Sequence, residues 1–373
     1  MTAAAMPVGV QAAIKIQHPG FTLDVDLALP GQGVSALFGP SGCGKTSTLR
    51  AIAGLERAPG ARVLVNGEVW QDDALNIFKP VHQRPLGFVF QEPRLFAHLD
   101  VRGNLEYGLR RVPAAQRRVS LDQAVELLGI GHLLTRRPAA LSGGEQQRVG
   151  MARALATSPR MLLMDEPLAA LDAARKREVL PYLERLHREL DIPVLYVSHA
   201  IDEVARLADH LVLMEQGRVR ASGPATQVLT QLDLPLAHGE AAAAVVQASI
   251  AGFDTDYQLL HADFDGGRFS LPYARDAENK LRLGQAVRLR IAARDVSLTL
   301  VHQQDTSILN ILPGTVAELA ADGQSQVMVG LKIKETRLLA SVTRRSADLL
   351  GLHVGQPVFV QVKSLSVDYS GLR

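Results

Sequence analysis

The chain of 373 residues has one cysteine, Cys43, so no disulfide can form within it, which suits a reducing compartment. It has no run approaching the roughly 18–20 consecutive apolar residues of a spanning helix. Its first residues, MTAAAMPVGVQAAIKIQ, show no basic segment followed by a long apolar core. The expectation is a chain without a signal peptide that meets a membrane only through a partner. Charge of either sign is scarcely in excess: 40 basic residues face 38 acidic ones, for a net +2. Bulk electrostatics therefore give no reason to expect a nucleic-acid partner. A hydrophobic content of 47% and a charged content of 21% are ordinary for a globular protein, and the length suits two or three domains.

What the chain does have is punctuation by glycine. GPSGCGKTS follows the apolar run VSALF and precedes TLRAIAGL. Gly39, Pro40, Ser41, Gly42, Cys43, Gly44, Lys45 and Thr46 fit G-x-x-x-x-G-K-[ST] between a predicted strand and a predicted helix. Glycines let backbone N–H groups wrap a phosphate with no Cβ in the way, and the helix N-terminus favours anions. Lys45 would bridge terminal phosphates, and the Thr46 hydroxyl would ligate Mg²⁺. MLLMDEP supplies the complementary carboxylates. Asp165, at the end of a buried strand, would hold Mg²⁺ through water. Glu166 would sit beside the γ-phosphate, as a general base or by polarising the attacking water. LSGGEQQRV, from Leu141, sets a serine and two glycines before a helix, a second phosphate-binding N-terminus. One nucleotide does not need two such loops, so the second is expected to serve a nucleotide on another subunit.

Strand-like runs (12–30, VSALFG, GFVFQ, MLLMDEP, PVLYVSH, HLVLMEQGRV) alternate with helical patterns, which implies a mostly parallel sheet; a helical insertion over about 100–158 interrupts it. ARVLVNGEVW reads as a hairpin turning at Asn66-Gly67. Composition shifts near 235–245. Beyond it, LGQAVRLRIAARDVSL and VGQPVFVQVKSLSV each pair a turn with an alternating strand, a tandem repeat of small β-barrel-like units.

The glycine loop, GFVFQ, LSGGEQQR, LLMDEP, LAALD and VSH stand in the order and spacing of the ATP-binding cassette ATPases, and over residues 12–235 the chain resembles that family. The resemblance implies an α/β P-loop ATPase domain with a helical subdomain, using ATP and Mg²⁺. It implies that Gln91 touches Mg²⁺ or the attacking water and reports occupancy to a transmembrane partner. It also implies that Ser142, Gly143 and Gly144 close over the opposite subunit's ATP, that Asp172 lies across the dimer, and that His199 contacts the γ-phosphate. Glu145 departs from the common LSGGQ form. An aromatic that stacks on adenine is expected near 16–22, with Phe21 nearest and His18 behind it.

Lys45 and Leu141 are separated by 96 positions, too few for the coiled coil of a chromosome-maintenance ATPase, and there is one cassette rather than the two of a translation or resistance factor. PRLFAHLDVRGNLEYGL offers Leu95, Phe96, Leu99 and Leu105 either to a membrane subunit or to the core. TSILNILPGTVAEL, from Thr306, resembles the molybdate-binding small β-barrel, and VRGNLEYG, RKREVLPYLERL and PVLYVSHAIDEV resemble molybdate-import ATPases. That implies an all-β C-terminal domain of tandem OB-like small barrels, 245–302 and 303–373, the second Mop/TOBE-like. It implies a homodimer on the cytoplasmic face of the inner membrane, partnered by permease subunits and, indirectly, by a periplasmic molybdate-binding protein. Tungstate, sulfate, iron or a sugar stay open as cargo. Thr306, Ser307 and Asn310 are the candidate donors to a regulatory oxyanion such as molybdate; TSILN fits a polar-capped strand entry equally well.

Overall fold

The computed structural model describes residues 9–273, 281–363 and 366–367. Its first strands follow the alternation of the sequence: β1 (Val10–His18) and β2 (Phe21–Leu29) pair antiparallel, Val10 opposite Leu29, with every second residue buried. After β3 (Gly33–Phe38) and α1 (Lys45–Ala53), the chain forms β4 (Arg62–Val65), β5 (Glu68–Asp72) and β6 (Ile77–Phe78). Asn66 and Gly67, both at positive φ, make the predicted turn between β4 and β5. These strands complete a sheet of order β2-β1-β4-β5-β6.

A second sheet carries the long apolar runs. Its strands are β3, β7 (Leu86–Val89), β8 (Met161–Asp165), β9 (Pro193–Ser198), β10 (His210–Glu215) and β11 (Arg218–Pro224), in the order β11-β10-β3-β9-β8-β7. β7, β8, β9, β3 and β10 pair in parallel, and β9 is buried along its whole length. Strands covered on both faces read as continuous apolar segments rather than alternating ones. All five end at one edge of the sheet, where ligands of open α/β folds bind. Between β7 and β8 lie α2 (Val101–Leu109), α3 (Leu121–Leu127) and α4 (Gly143–Ala156). Leu105, Leu127, Ile130, Val149 and Leu155 bury together there. Leu105 is thus core, whereas Leu95 packs only partly against that core and Phe96 and Leu99 are half-exposed. α5 (Ala173–Glu189) follows β8, and α6 (Ile201–Leu207) links β9 to β10.

The C-terminus of α1 is closed by a residue the sequence did not advertise. The buried Arg84 guanidinium donates to Ile52 O at 2.6 Å, Lys79 O at 2.7 Å and Ala51 O at 3.3 Å. Helix-end carbonyls need such donors, and each one left unpaired in the interior costs about 1–3 kcal/mol. Burial pulls the Arg84 pKa down to about 10, so it stays charged at neutral pH.

The chain divides into two units between Ser222 and Gly223, earlier than the compositional shift at 235–245. Leu232 and Ala237 explain the difference: they bury against Ala242, Ala293, Met328 and Leu339 of the second unit. That unit holds β12 (Ala243–Asp254), β13 (Leu259–Phe264), β14 (Gly267–Pro272), β15 (Ala286–Ala292), β16 (Val296–Thr299), β17 (Asn310–Asp322), β18 (Gln326–Ile333), β19 (Thr336–Thr343), β20 (Pro357–Val362) and β21 (Ser366–Val367). The sequence repeat is a structural repeat. β12 and β17 each carry a bulge, at 250/252 and 316/318. In each half a glycine–glutamine turn, Gly284-Gln285 or Gly355-Gln356, exchanges backbone hydrogen bonds with the long strand, at Ile250 or Val316. Both turn glycines have positive φ.

The halves are not separate barrels split at 302. The sheets run β14-β13-β12-β15-β21 and β16-β20-β17-β18-β19, so the last strand of each repeat crosses to the other's sheet. One apolar core, from Ala244 through Leu312 to Val362, serves both. Ser364 and Leu365, inside the second repeat motif, lie outside the described residues.

Candidate functional site

The loop Gly39–Thr46 joins β3 to α1 at the carboxyl edge of the parallel sheet. Two of its glycines adopt a backbone conformation that favours glycine, and at Gly39 backbone also fills the space a Cβ would need. A Cβ on Gly39 (φ 156°) would stand 2.2 Å from Met214 O, and one on Gly44 (φ 100°) 2.7 Å from a Leu23 methyl. Lys45 opens α1, and its buried ammonium donates to Gly39 O at 2.8 Å and Pro40 O at 2.9 Å, with Cys43 Sγ at 3.8 Å. The lysine charge therefore lies within the ring of the loop. Phosphate oxygens, being anionic, are stronger acceptors than these carbonyls.

β9 separates β3 from β8 and brings the remaining groups to the same edge. Thr46 Oγ1 donates to Asp165 Oδ1 at 2.8 Å, although 119 positions separate them. Burial pushes the Asp165 carboxyl pKa up; the Thr46 hydrogen bond opposes this, and the neighbouring Glu166 charge reinforces it. A hydroxyl beside a desolvated carboxylate, next to a second carboxylate, is a donor set of hard oxygens that suits Mg²⁺. Glu166 sits at φ 44°, a rare conformation for a residue with a side chain, and its N–H bonds Val197 O at 3.1 Å. Such strain clusters where a side chain must be aimed. Glu166 Oε2 meets Nδ1 of the half-exposed His199, just past β9, at 3.2 Å.

Gln91, just past β7, is exposed. The chain on both sides of it is held by α4: Gln147 donates to Phe90 O at 3.4 Å, and Arg153 to Pro93 O at 2.8 Å and Arg94 O at 2.9 Å. Ser142 is the N-cap of α4 in a reciprocal capping box. Its hydroxyl accepts from the Glu145 N–H at 3.3 Å, and the Glu145 carboxylate accepts from the Ser142 N–H at 2.7 Å. That bond holds the Glu145 pKa below the usual range. The glutamate that departs from the family's commoner glutamine is thus the one that shapes the helix start. Among the described contacts, Ser142, Gly143 and Gly144 make none with Lys45, Asp165, Glu166 or His199. Asp172 caps α5 through the Arg175 N–H at 2.9 Å and is largely exposed. The Phe21 ring lies 3.1 Å from the place a Gly44 Cβ would occupy and stacks on His18 at 6.3 Å. The predicted aromatic therefore borders the phosphate loop.

The C-terminal trio is not assembled into one site. Asn310 is buried, and both ends of its amide are engaged. Its Oδ1 accepts from Ser270 N at 2.7 Å and its Nδ2 donates to Ser270 O at 3.0 Å, tying β17 to β14 across the two sheets. Thr306 is exposed, with Oγ1 accepting from Ile308 N at 3.2 Å, and Ser307 is exposed. Asn310 is a structural tie, with one of its two amide hydrogens committed to Ser270 O. Sequence reasoning also missed Glu203, whose buried carboxylate collects donors from three side chains. Its signal was a carboxylate one helical turn beyond Ser198-His199.

A glycine phosphate loop, a carboxylate pair and a histidine on adjacent parallel strands, with a serine–glycine helix start on an inserted helical segment, define an ATP-binding cassette ATPase. A family model described as ABC transporter matches residues 23–169, and one described as TOBE domain matches residues 306–368. The chain is similar to the Molybdenum import ATP-binding protein ModC of Pseudomonas fluorescens, with 56% identity over 361 residues, covering 96% of this chain and 99% of that protein. It is likewise 57% identical over 360 residues to ModC of Bordetella parapertussis, covering 96% and 97%. Among solved structures, cbiO1 from Clostridium perfringens, part of the ABC transporter complex cbiONQ, aligns with a TM-score of 0.52. That match has 25% identity over 60% of this chain and 90% of that one. The chain belongs to the family of molybdenum import ATP-binding proteins.

Proposed function

We propose that the chain is the ATP-hydrolysing subunit of an importer that carries molybdate through a membrane permease. The observation carrying this reading is the end-to-end similarity to ModC proteins, joined to a phosphate loop, carboxylate pair and histidine in hydrogen-bonding register. Among the described residues no helix is long and apolar enough to cross a membrane, so passage of the anion falls to a partner.

In this reading the backbone of Gly39–Thr46 and the ammonium of Lys45 hold the phosphates. Thr46 and Asp165, with Gln91, would hold Mg²⁺, which screens phosphate charge when bound. Glu166 orients the attacking water and accepts its proton. His199, hydrogen-bonded to Glu166, presents its other ring nitrogen to the terminal phosphate. Phe21 stacks on adenine. Ser142, Gly143 and Gly144, with Asp172, complete the site of a second copy, so two ATP molecules are enclosed by a homodimer. The segment 93–99, bound to α4 through Arg153, is the contact to the permease, and a periplasmic binding protein delivers the anion to it.

The test is uptake in a strain lacking this chain. Supplying the wild-type chain is expected to restore molybdate accumulation, and the Lys45→Ala chain is not. Unchanged molybdate uptake in the deleted strain, with loss of sulfate or sugar uptake instead, would reassign the cargo.

A further inference from the structure

Glu203 presents a carboxylate whose position stability alone does not explain. It lies on α6, its side chain only 6% exposed, and it accepts hydrogen bonds of 2.8 Å from each of Tyr196 Oη, Ser198 Oγ and Lys176 Nζ. Two of these donors come from β9, and Lys176 comes from the first turns of α5, the helix capped by Asp172. The burial and the acidic neighbour push the Tyr196 phenol well above its ordinary pKa, so it remains a donor. A buried ionic cluster is often no more stabilising than apolar residues of the same volume would be. Its use lies in fixing a geometry.

The geometry it fixes is the turn that carries His199. Ser198 Oγ donates to Glu203 and at the same time accepts from the Ala200 N–H at 3.0 Å, so the residues on both sides of His199 are bound to one oxygen. His199 itself is about half exposed, and among the described residues its ring meets Glu166. The β3–β9 ladder at Ser198, the Glu166 N–H bond to Val197 O and the Val204 N–H bond to Ala200 O also hold the strand end and the helix start. The clasp adds the side-chain bonds that tie Ser198 and Ala200, on either side of His199, to Glu203.

We propose that Glu203 and Ser198 are positioning residues for His199, and that through Lys176 the same carboxylate fixes this turn against the helix starting at Asp172. This rests on the reading of Glu166 and His199 as the hydrolytic pair. Misplacing a reacting group by about 1 Å costs up to a hundredfold in rate with little change in binding. The loss should therefore fall on kcat.

The experiment compares two identical chemical changes in the full-length chain. Ser198→Ala removes the clasp. Ser158→Ala removes another buried hydroxyl, which accepts from the Arg118 and Val119 amides at 3.0 and 3.1 Å and lies before the start of β8, at the opposite end of that strand from Glu166. Both should lower Tm by similar small amounts. Ser198→Ala is expected to lower kcat by about tenfold or more with MgATP affinity within about twofold of wild type, whereas Ser158→Ala keeps its kcat. Glu203→Gln, which preserves size and one acceptor oxygen, should lower kcat in the same way and stands in if Ser198→Ala does not fold. A normal kcat in Ser198→Ala, or equal kcat losses in the two serine variants, overturns the proposal. Glu166→Gln and His199→Ala are assayed alongside. If they lose turnover while Ser198→Ala does not, only the positioning role fails; if they retain it, the reading of the hydrolytic pair fails.

Discussion

Glu166→Gln is expected to bind MgATP as the wild-type chain does and to hydrolyse it about a hundredfold more slowly or worse, the usual scale for loss of a general base. The expectation rests on placement. Glu166 follows Asp165 directly, yet its positive φ turns it away from the carboxylate–hydroxyl pair and toward His199. The amide keeps the size of the carboxylate and its hydrogen bond to the histidine, so loss of turnover would report loss of the base and not of the pocket. The intact Lys45 and Thr46 should still hold the nucleotide, and with cleavage blocked the enclosed dimer should accumulate. Turnover and nucleotide affinity, measured on the same preparation, check this; near-normal turnover would remove Glu166 from the chemistry.

The second large effect concerns which chain completes which site. A mixed dimer of a Lys45→Ala chain and a Ser142→Arg chain should contain one site with both lesions and one with neither. It should therefore bind one MgATP with wild-type affinity, while either mutant alone forms only damaged sites. The basis is that Ser142 caps α4 at a helix start remote, in the contacts of one chain, from Lys45. The capping box engages the Ser142 and Glu145 amides, while those of Gly143 and Gly144, in the first turn, have no intrahelical acceptor, the feature anion binding at a helix start uses. Titration of labelled ATP onto purified mixed dimers separates the cases. Two half-impaired sites, with no intact one, would mean that each site is built within a single chain.

The ATP site was legible because its chemistry is local. Gly39 to Thr46 must be glycine-rich where the backbone approaches an anion, and Asp165-Glu166 must end an apolar strand; both patterns survive in a linear reading. The Glu166–His199 contact was not legible in this way, although adjacent strands of a parallel sheet end at the same edge and so bring the residues after β8 and β9 together. What the sequence concealed depended on distant partners. Asn310 read as a free polar group because Ser270, which engages both ends of its amide, lies 40 positions away. The exchange of β16 and β21 between the two small sheets was invisible because strands of four and two residues carry no periodicity. Arg84 and Glu203 escaped for the same reason: a single charged residue gains meaning only from the carbonyls or hydroxyls that folding brings around it.

The central claim is that ATP cleavage at Glu166 drives molybdate across a membrane, and it is tested most directly by measuring both in one preparation. The full transporter, this chain with its permease in sealed vesicles, is loaded with ATP on the side of the chain and offered molybdate with its binding protein on the other. Molybdate should accumulate together with phosphate release, and Glu166→Gln should abolish both. Accumulation that continues in Glu166→Gln vesicles, or phosphate release at the wild-type rate with no molybdate movement, would contradict the account.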